Sequence, residues 1–274
     1  DLDSVYFGKD SKTLDNGEVK EGISVYIDSK DPTDHKYFRW TYEEWWKFNI
    51  PYPQGYAYVD QNNIYPIPFA NVTCWKNHRS DEIIIKSGET GINGAFIKQP
   101  ILFIASDKTE RLLIQYCIKI TQLSVSEKEY EFWDQMQQIN ESGGDIFDKQ
   151  PFPIISNIHC ISDTKEKVLG YFQVSGIKHK RIYVTRSEVS KLDLQPYIYP
   201  CDFIIKGPMD YLTSDPPMTF DRIYHNFTTL GYTFIAPVYS DRNTLERLIF
   251  VDKYCADCTL SGSPNKPDFW VDME

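Results

Sequence analysis

At 274 residues, with 41% hydrophobic and 15% aromatic content, the chain can build a sizeable core and is too apolar for a disordered segment. A net charge of -10 sets it against phosphate backbones, and no basic cluster reverses this, so nucleic acid is excluded as a natural partner. No apolar run approaches the ~18 residues of a membrane-spanning helix. The chain opens Asp1-Leu2-Asp3-Ser4 without an initiator Met and reads as a mature or trimmed polypeptide.

In chain order, Ser4–Phe7 reads as a short strand, and Gly22–Asp28 alternates apolar and polar residues as a half-buried strand does. Asp31-Pro32-Thr33-Asp34 is a turn, and Lys36–Glu43 is the next strand. From Trp45-Trp46-Lys47-Phe48 to Phe69 the chain changes character. Pro51, Pro53, Pro66 and Pro68 stand among Tyr52, Tyr56, Tyr58 and Tyr65, which predicts a long aromatic loop or ribbon. Strands resume at Glu82–Ile85, Ile101–Ile104 and Arg111–Gln122. The last runs into the one clear helix, with a Ser126/Glu129 capping box, a Val125/Tyr130 staple, an apolar stripe of Phe132, Met136 and Ile139, and Gly143-Gly144 as its stop. Val168–Val174 and Lys180–Val184 read as a hairpin, and about 192–217 as irregular. Tyr232–Ala236 and Leu248–Val251 supply late strands. The pattern predicts a mainly β fold. It reads as an immunoglobulin- or fibronectin-like β-sandwich with long loop insertions and one short α-helix, in one decorated domain over 1–274 (core about 1–190, extension about 191–274).

The six cysteines are Cys74, Cys117, Cys160, Cys201, Cys255 and Cys258. Cys255-x-x-Cys258 invites a zinc reading, but a structural site needs a second ligand pair at short spacing and the five histidines form none. A redox pair would sit at a helix N-terminus, whereas here Gly262, Pro264 and Pro267 follow. Disulfides remain: Cys201 pairs with Cys255 or Cys258, and Cys74 with the other. Cys117, in an apolar strand, reads as a buried free thiol, and Phe269-Trp270 as an apolar plug.

A glycosidase needs two carboxylates facing each other across a cleft. Glu43-Glu44 and Asp145/Asp148 are the nearest candidates, and solvated surface charge is the preferred reading of them. Asp145-x-x-Asp148 or Asp28-x-x-Asp31-x-x-Asp34 has the oxygen ligands of a structural calcium site, but turn-forming Asp is preferred and no cofactor is expected. No nucleophile-elbow, zinc-protease, Walker or dinucleotide motif occurs, and no enzyme is expected. The exposed loop aromatics Tyr52, Tyr56 and Tyr58 are the candidate binding surface, for a glycan, a peptide or a protein partner.

Seven segments together resemble one family. They are Gly22-Ile23-x-Val25-Tyr26-Ile27-Asp28 through Asp31-Pro32; Tyr37-Phe38-Arg39-Trp40-x-Tyr42-Glu43-Glu44; Cys74-Trp75; Ser124-x-Ser126 through Phe132-Trp133; Gly144-x-Ile146-Phe147-Asp148; Val168-Leu169-Gly170-Tyr171-Phe172; and Cys255-x-Asp257-Cys258 with Lys266-Pro267-Asp268-Phe269-Trp270. In order and spacing they are similar to the domain-of-unknown-function 4249 family of Bacteroidota. The resemblance implies an outer-membrane lipoprotein on the cell-surface side, encoded beside a TonB-dependent receptor. It also implies an upstream immunoglobulin-like domain and a lipid anchor, both outside this chain, with Asp1 falling where that domain would end. The family carries no established catalytic residues to transfer.

Overall fold

The computed structural model describes residues 2–14, 16–30, 37–88, 95–141, 156–163, 165–166, 168 and 170–273. β1 (Leu2–Thr13) and β2 (Val19–Lys30) pair antiparallel, with Val5 opposite Ile27 and Phe7 opposite Val25. β3 (Tyr37–Asn49) alternates strictly: Phe38, Trp40, Tyr42, Glu44, Trp46 and Phe48 are all buried. The period of two holds through Trp45-Trp46-Lys47-Phe48, so these residues belong to the strand and not to the aromatic loop expected there. The strand stops just before Pro51, which has no N–H for a ladder. The loop itself is a ribbon, β4 (Tyr56–Asp60) against β5 (Asn63–Pro66).

β6 (Thr73–Arg79) and β7 (Ile84–Ser87) both pair with β3, at opposite ends of it. Next come β8 (Ala95–Ala105), β9 (Gln115–Ser124) and α1 (Glu127–Glu141). Ser126 Oγ accepts from the Glu129 amide, the first half of the expected capping box, while the buried Glu129 carboxylate accepts from Ser175. The expected stop at Gly143-Gly144 and the turn at Asp31–Asp34 lie outside the described residues. β10 (Gly176–Thr185) pairs with β9 over its whole length, Ile182 opposite Ile118 and Val184 opposite Tyr116. The hairpin expected between 168–174 and 180–184 is therefore wrong. Phe172 instead exchanges both backbone bonds with the Asn157 side chain, and Gly170 turns the chain at φ 126°.

Two further helices follow that sequence reading did not find: α2 (Arg186–Ser190), capped by Thr185 and Glu188, and α3 (Phe220–Thr229), capped by Thr219. α2 is too short to announce itself by period, whereas α3 carries the helical apolar spacing Phe220, Ile223, Tyr224 and Phe227 behind its Thr219 cap, a signal the sequence reading passed over. β11 (Ile204–Lys206), β12 (Tyr232–Tyr239) and β13 (Leu245–Asp252) complete the chain. No described helix is long and apolar enough to cross a membrane.

The strands form a sheet ordered β1-β2-β8 and another ordered β10-β9-β3-β6, with β7 added on β3. Ile23, Val25, Ile27 and Ile104 from the first sheet share one core with Phe38, Trp40, Tyr116, Ile118 and Ile120 from the second. This is a β-sandwich, the mainly β fold expected. A smaller core, Ile223, Phe234, Leu248 and Phe250, lies between α3 and the sheet β11-β13-β12, and the β4–β5 ribbon packs on it.

The C-terminal tail runs across the outer face of the second sheet. Phe269 meets Trp45 with ring centroids 4.7 Å apart, and Trp270 meets Tyr183 at 5.7 Å and Trp75 at 6.4 Å. Tyr183 Oη donates to the Phe269 carbonyl, and Gln115 Nε2 to that of Val271. Trp270 is buried, so the expected apolar plug is present. Cys117 lies between Trp45 and Tyr183 in the register and is a buried free thiol, also as expected.

Candidate functional site: an aromatic cleft beside β6

The inward faces of β3 and β6 pair Glu44 with His78, Trp46 with Lys76, and Phe48 with Cys74. Directly opposed residues share a face, so this ladder carries charges into the sandwich. Glu44 is 1% exposed. It accepts from Tyr116 Oη at 2.7 Å, and His78 Nδ1 lies 3.0 Å away. Arg111 Nε lies 3.4 Å from the same carboxylate without the alignment of a hydrogen bond, and its guanidinium sits over Trp46. A carboxylate buried this far needs such partners. The expectation of solvated surface charge therefore fails for Glu44. It fits Glu43, which points to the other face and pairs loosely with Lys119. Burial, then the Glu44 charge, raises the Tyr116 phenol far above its usual range and keeps it a donor. Burial likewise pushes Tyr42 up to about 12.

On the next rung, Lys76 Nζ reaches Glu110 Oε1 at 2.7 Å, and Trp46 Nε1 reaches the same oxygen at 3.2 Å. Burial, the largest single influence, would raise the Glu110 carboxyl, but the Lys76 hydrogen bond and charge, the backbone amide and Trp46 together outweigh it and hold the group below the usual carboxylate range. Both bonds land on one oxygen, leaving Oε2 for another donor. Lys76 also lies over the Phe48 ring, 4.5 Å from its centroid.

Beyond this rung opens a cleft of about 400 Å³, lined by Phe48, Lys76, Glu110, Tyr197, Tyr199 and Tyr254 among others. Two disulfides hold its far wall. Cys201–Cys255 ties the Tyr197–Cys201 segment to the turn after β13, and Cys74–Cys258 ties that turn to β6. This is one of the two pairings left open by the sequence. Gly262 lets the tail come this close: a Cβ there would stand 2.7 Å from the Phe48 ring and 2.9 Å from the Trp75 carbonyl. The Tyr197 and Tyr199 rings meet edge to face at 5.2 Å. Tyr199 Oη is buried without a hydrogen-bond partner, and burial, then Glu110, raises its phenol so that it stays protonated.

The sequence-predicted binding aromatics lie elsewhere. Tyr52 packs on Phe203 at 4.4 Å, beside the Cys201–Cys255 bridge. Tyr56 and Tyr58 pack on the smaller core; Tyr58 stacks on Tyr224 at 4.4 Å and donates to Asp221. All three are half-buried, and their rings are committed to internal packing. A two-stranded ribbon is marginal alone and needs this support. The residues that do form the cleft, Tyr197, Tyr199 and Tyr254, flank Cys201 and Cys255; their nearness to those cysteines was the available signal.

Asp28 accepts from Ser4 and Tyr6 hydroxyls and the Lys98 amide, so its oxygens are already engaged. Asp31, Asp34, Asp145 and Asp148, the other calcium or catalytic candidates, lie outside the described residues. Among the described residues no group of three or more His, Cys, Asp or Glu could hold a metal ion.

Comparison with curated proteins and with solved structures finds no match. A family model described as Domain of unknown function (DUF4249) matches residues 1–181, the stretch that builds the sandwich as far as β10. The match covers well over half of the chain, which therefore belongs to the DUF4249 family.

Proposed function

We propose that this chain is a non-catalytic recognition protein on the cell-surface side of the outer membrane of a Bacteroidota cell. It is held there by a lipid anchor outside this chain and serves as an accessory lipoprotein of a TonB-dependent outer-membrane transporter, binding the transporter, its cargo or both. Family membership supports the setting. The observation that carries the recognition role is the cross-linked cleft, aromatic on its walls, with a small number of polar groups and two disulfides that suit an oxidising exterior. The carboxylates support a non-catalytic reading, since Glu44 is engaged by its partners and Glu43 faces away from it. We also read the sandwich as immunoglobulin- or fibronectin-like: taking β1, β2, β3, β8, β9 and β10 as strands A, B, C, E, F and G gives the sheets A-B-E and G-F-C.

Affinity purification of the tagged, membrane-anchored full-length protein tests the proposal. A co-purifying β-barrel receptor is the expected result, and its absence after mild cross-linking rejects the transporter association. The second reading, a stand-alone glycan- or peptide-binding surface protein, is favoured by the same cleft and predicts ligand binding with no receptor recovered.

A further inference from the structure

We infer that the cleft between β6 and the cross-linked C-terminal wall binds a neutral saccharide, with the ring lying against the exposed Tyr254 and its hydroxyls meeting Glu110 and Lys76. This rests on the reading of the chain as a recognition protein and assigns the ligand class of that site. A volume of about 400 Å³ is at the small end of ligand sites, suited to about one or two sugar rings.

The lining decides between ligand classes. A purely apolar ligand would seal the cleft over the charged Lys76 and Glu110 and withdraw both from water without a new hydrogen bond in return. An anionic ligand faces two carboxylates, Glu110 and Asp252, against one lysine already matched to Glu110, on a chain of net charge -10. An extended peptide would add to an exposed strand edge, but at this point the β6 edge is occupied: Trp75 and Ser263 exchange both backbone bonds. A neutral sugar meets what remains. Its C–H face suits tyrosine rings, of which Tyr254 is 55% exposed. Its hydroxyls both donate and accept, so one can give a hydrogen bond to the second Glu110 oxygen and another can take one from Lys76.

The test is binding of the disulfide-intact full chain to an array of neutral glycans, with oligogalacturonate and tetralysine as charged controls. Hits are titrated by calorimetry against Tyr199→Phe and Tyr254→Ala. Tyr199→Phe removes one oxygen and Tyr254→Ala an exposed ring, so both are expected to melt with the parent. The expected result is a neutral glycan whose affinity falls about tenfold in Tyr254→Ala and holds in Tyr199→Phe, whose lost hydroxyl is sealed from the cleft. Retention of no neutral glycan, preference for either charged control, or affinity unchanged in Tyr254→Ala overturns the assignment. Receptor co-purification separates the two readings. If the receptor is recovered and no neutral glycan binds, the saccharide assignment alone fails; if neither is found, the recognition reading fails with it.

Discussion

Replacing Glu44 by alanine would leave Arg111, which reaches it from the turn between β8 and β9, without the carboxylate it pairs with, and would strip Tyr116 of its acceptor. Breaking a buried pair from one side costs about 3–5 kcal/mol. Arg111 is 25% exposed and can turn part of its charge to water, so the lower end, about 3 kcal/mol, is expected in urea denaturation. An alanine variant within about 1 kcal/mol of the parent would show that the ladder is dispensable. Glu110 makes a different prediction, in pH. Its carboxyl is held below the ordinary value of 4.5, so as pH falls the unfolded chain takes up the proton first. The stabilisation from the Lys76–Glu110 pair is thus complete above pH 4.5 and is lost as pH drops through the lower folded value. Thermal melts from pH 6 to pH 3 should show a steeper fall in the parent than in Glu110→Gln; identical profiles would mean the pair adds nothing.

At the scale of elements, the tail behaves as a strap over the outer face of the second sheet. Phe269 and Trp270 cover the row Trp45, Cys117 and Tyr183, and burial pushes the Cys117 thiol up to about 11, leaving it protonated and unreactive at neutral pH. Trp270→Ala should cost about 3–5 kcal/mol, the range for deleting a buried aromatic, and should make Cys117 reactive toward a thiol reagent in the native state. Cys160, the other free cysteine, is only half-buried, so the measurement is made in a Cys160→Ser background. A thiol that stays silent would mean that Trp45 and Tyr183 close over it unaided. Elements of this kind differ in how visible they are in the sequence. β2 and β3 were legible because apolar residues recur every second position. β6 was not, because of its inward residues Cys74, Lys76 and His78 only Cys74 is apolar and buried, so no alternation of hydropathy marks the strand. The 168–174 hairpin was misread for the opposite reason: the residues have strand character, but Asn157 takes the backbone bonds a partner strand would need. The cysteines of the cleft were legible as disulfide formers. Their pairing, and the wall of tyrosines it places opposite Lys76, depend on how the extension folds back, which no local signal carries.

Across the whole molecule, the two disulfides do different things although both close long loops. Cys74–Cys258 spans a separation of 184 residues and joins the sandwich to the end of the extension. Cys201–Cys255 spans 54 residues and lies wholly within that loop. Chain-entropy arithmetic gives about 5 kcal/mol for the longer loop and about 4 kcal/mol for the shorter, and because one is nested in the other the two values do not add. The smaller core of Ile223, Phe234, Leu248 and Phe250 is apolar and does not include either bridge, so it should survive loss of the inner one. The Tyr197–Cys201 wall has no such support: among the described residues it forms no strand or helix, and Tyr199 Oη has no partner. Cys201→Ser with Cys255→Ser should therefore speed amide exchange across 197–203 while β12 and β13 stay protected. Cys74→Ser with Cys258→Ser should instead loosen the tail along β6, where Trp75 and Ser263 are bonded. If removing the inner bridge deprotects β12 and β13 as much as the wall, the smaller core is not self-supporting, and the disulfides hold up the extension as a whole rather than shaping one side of the cleft.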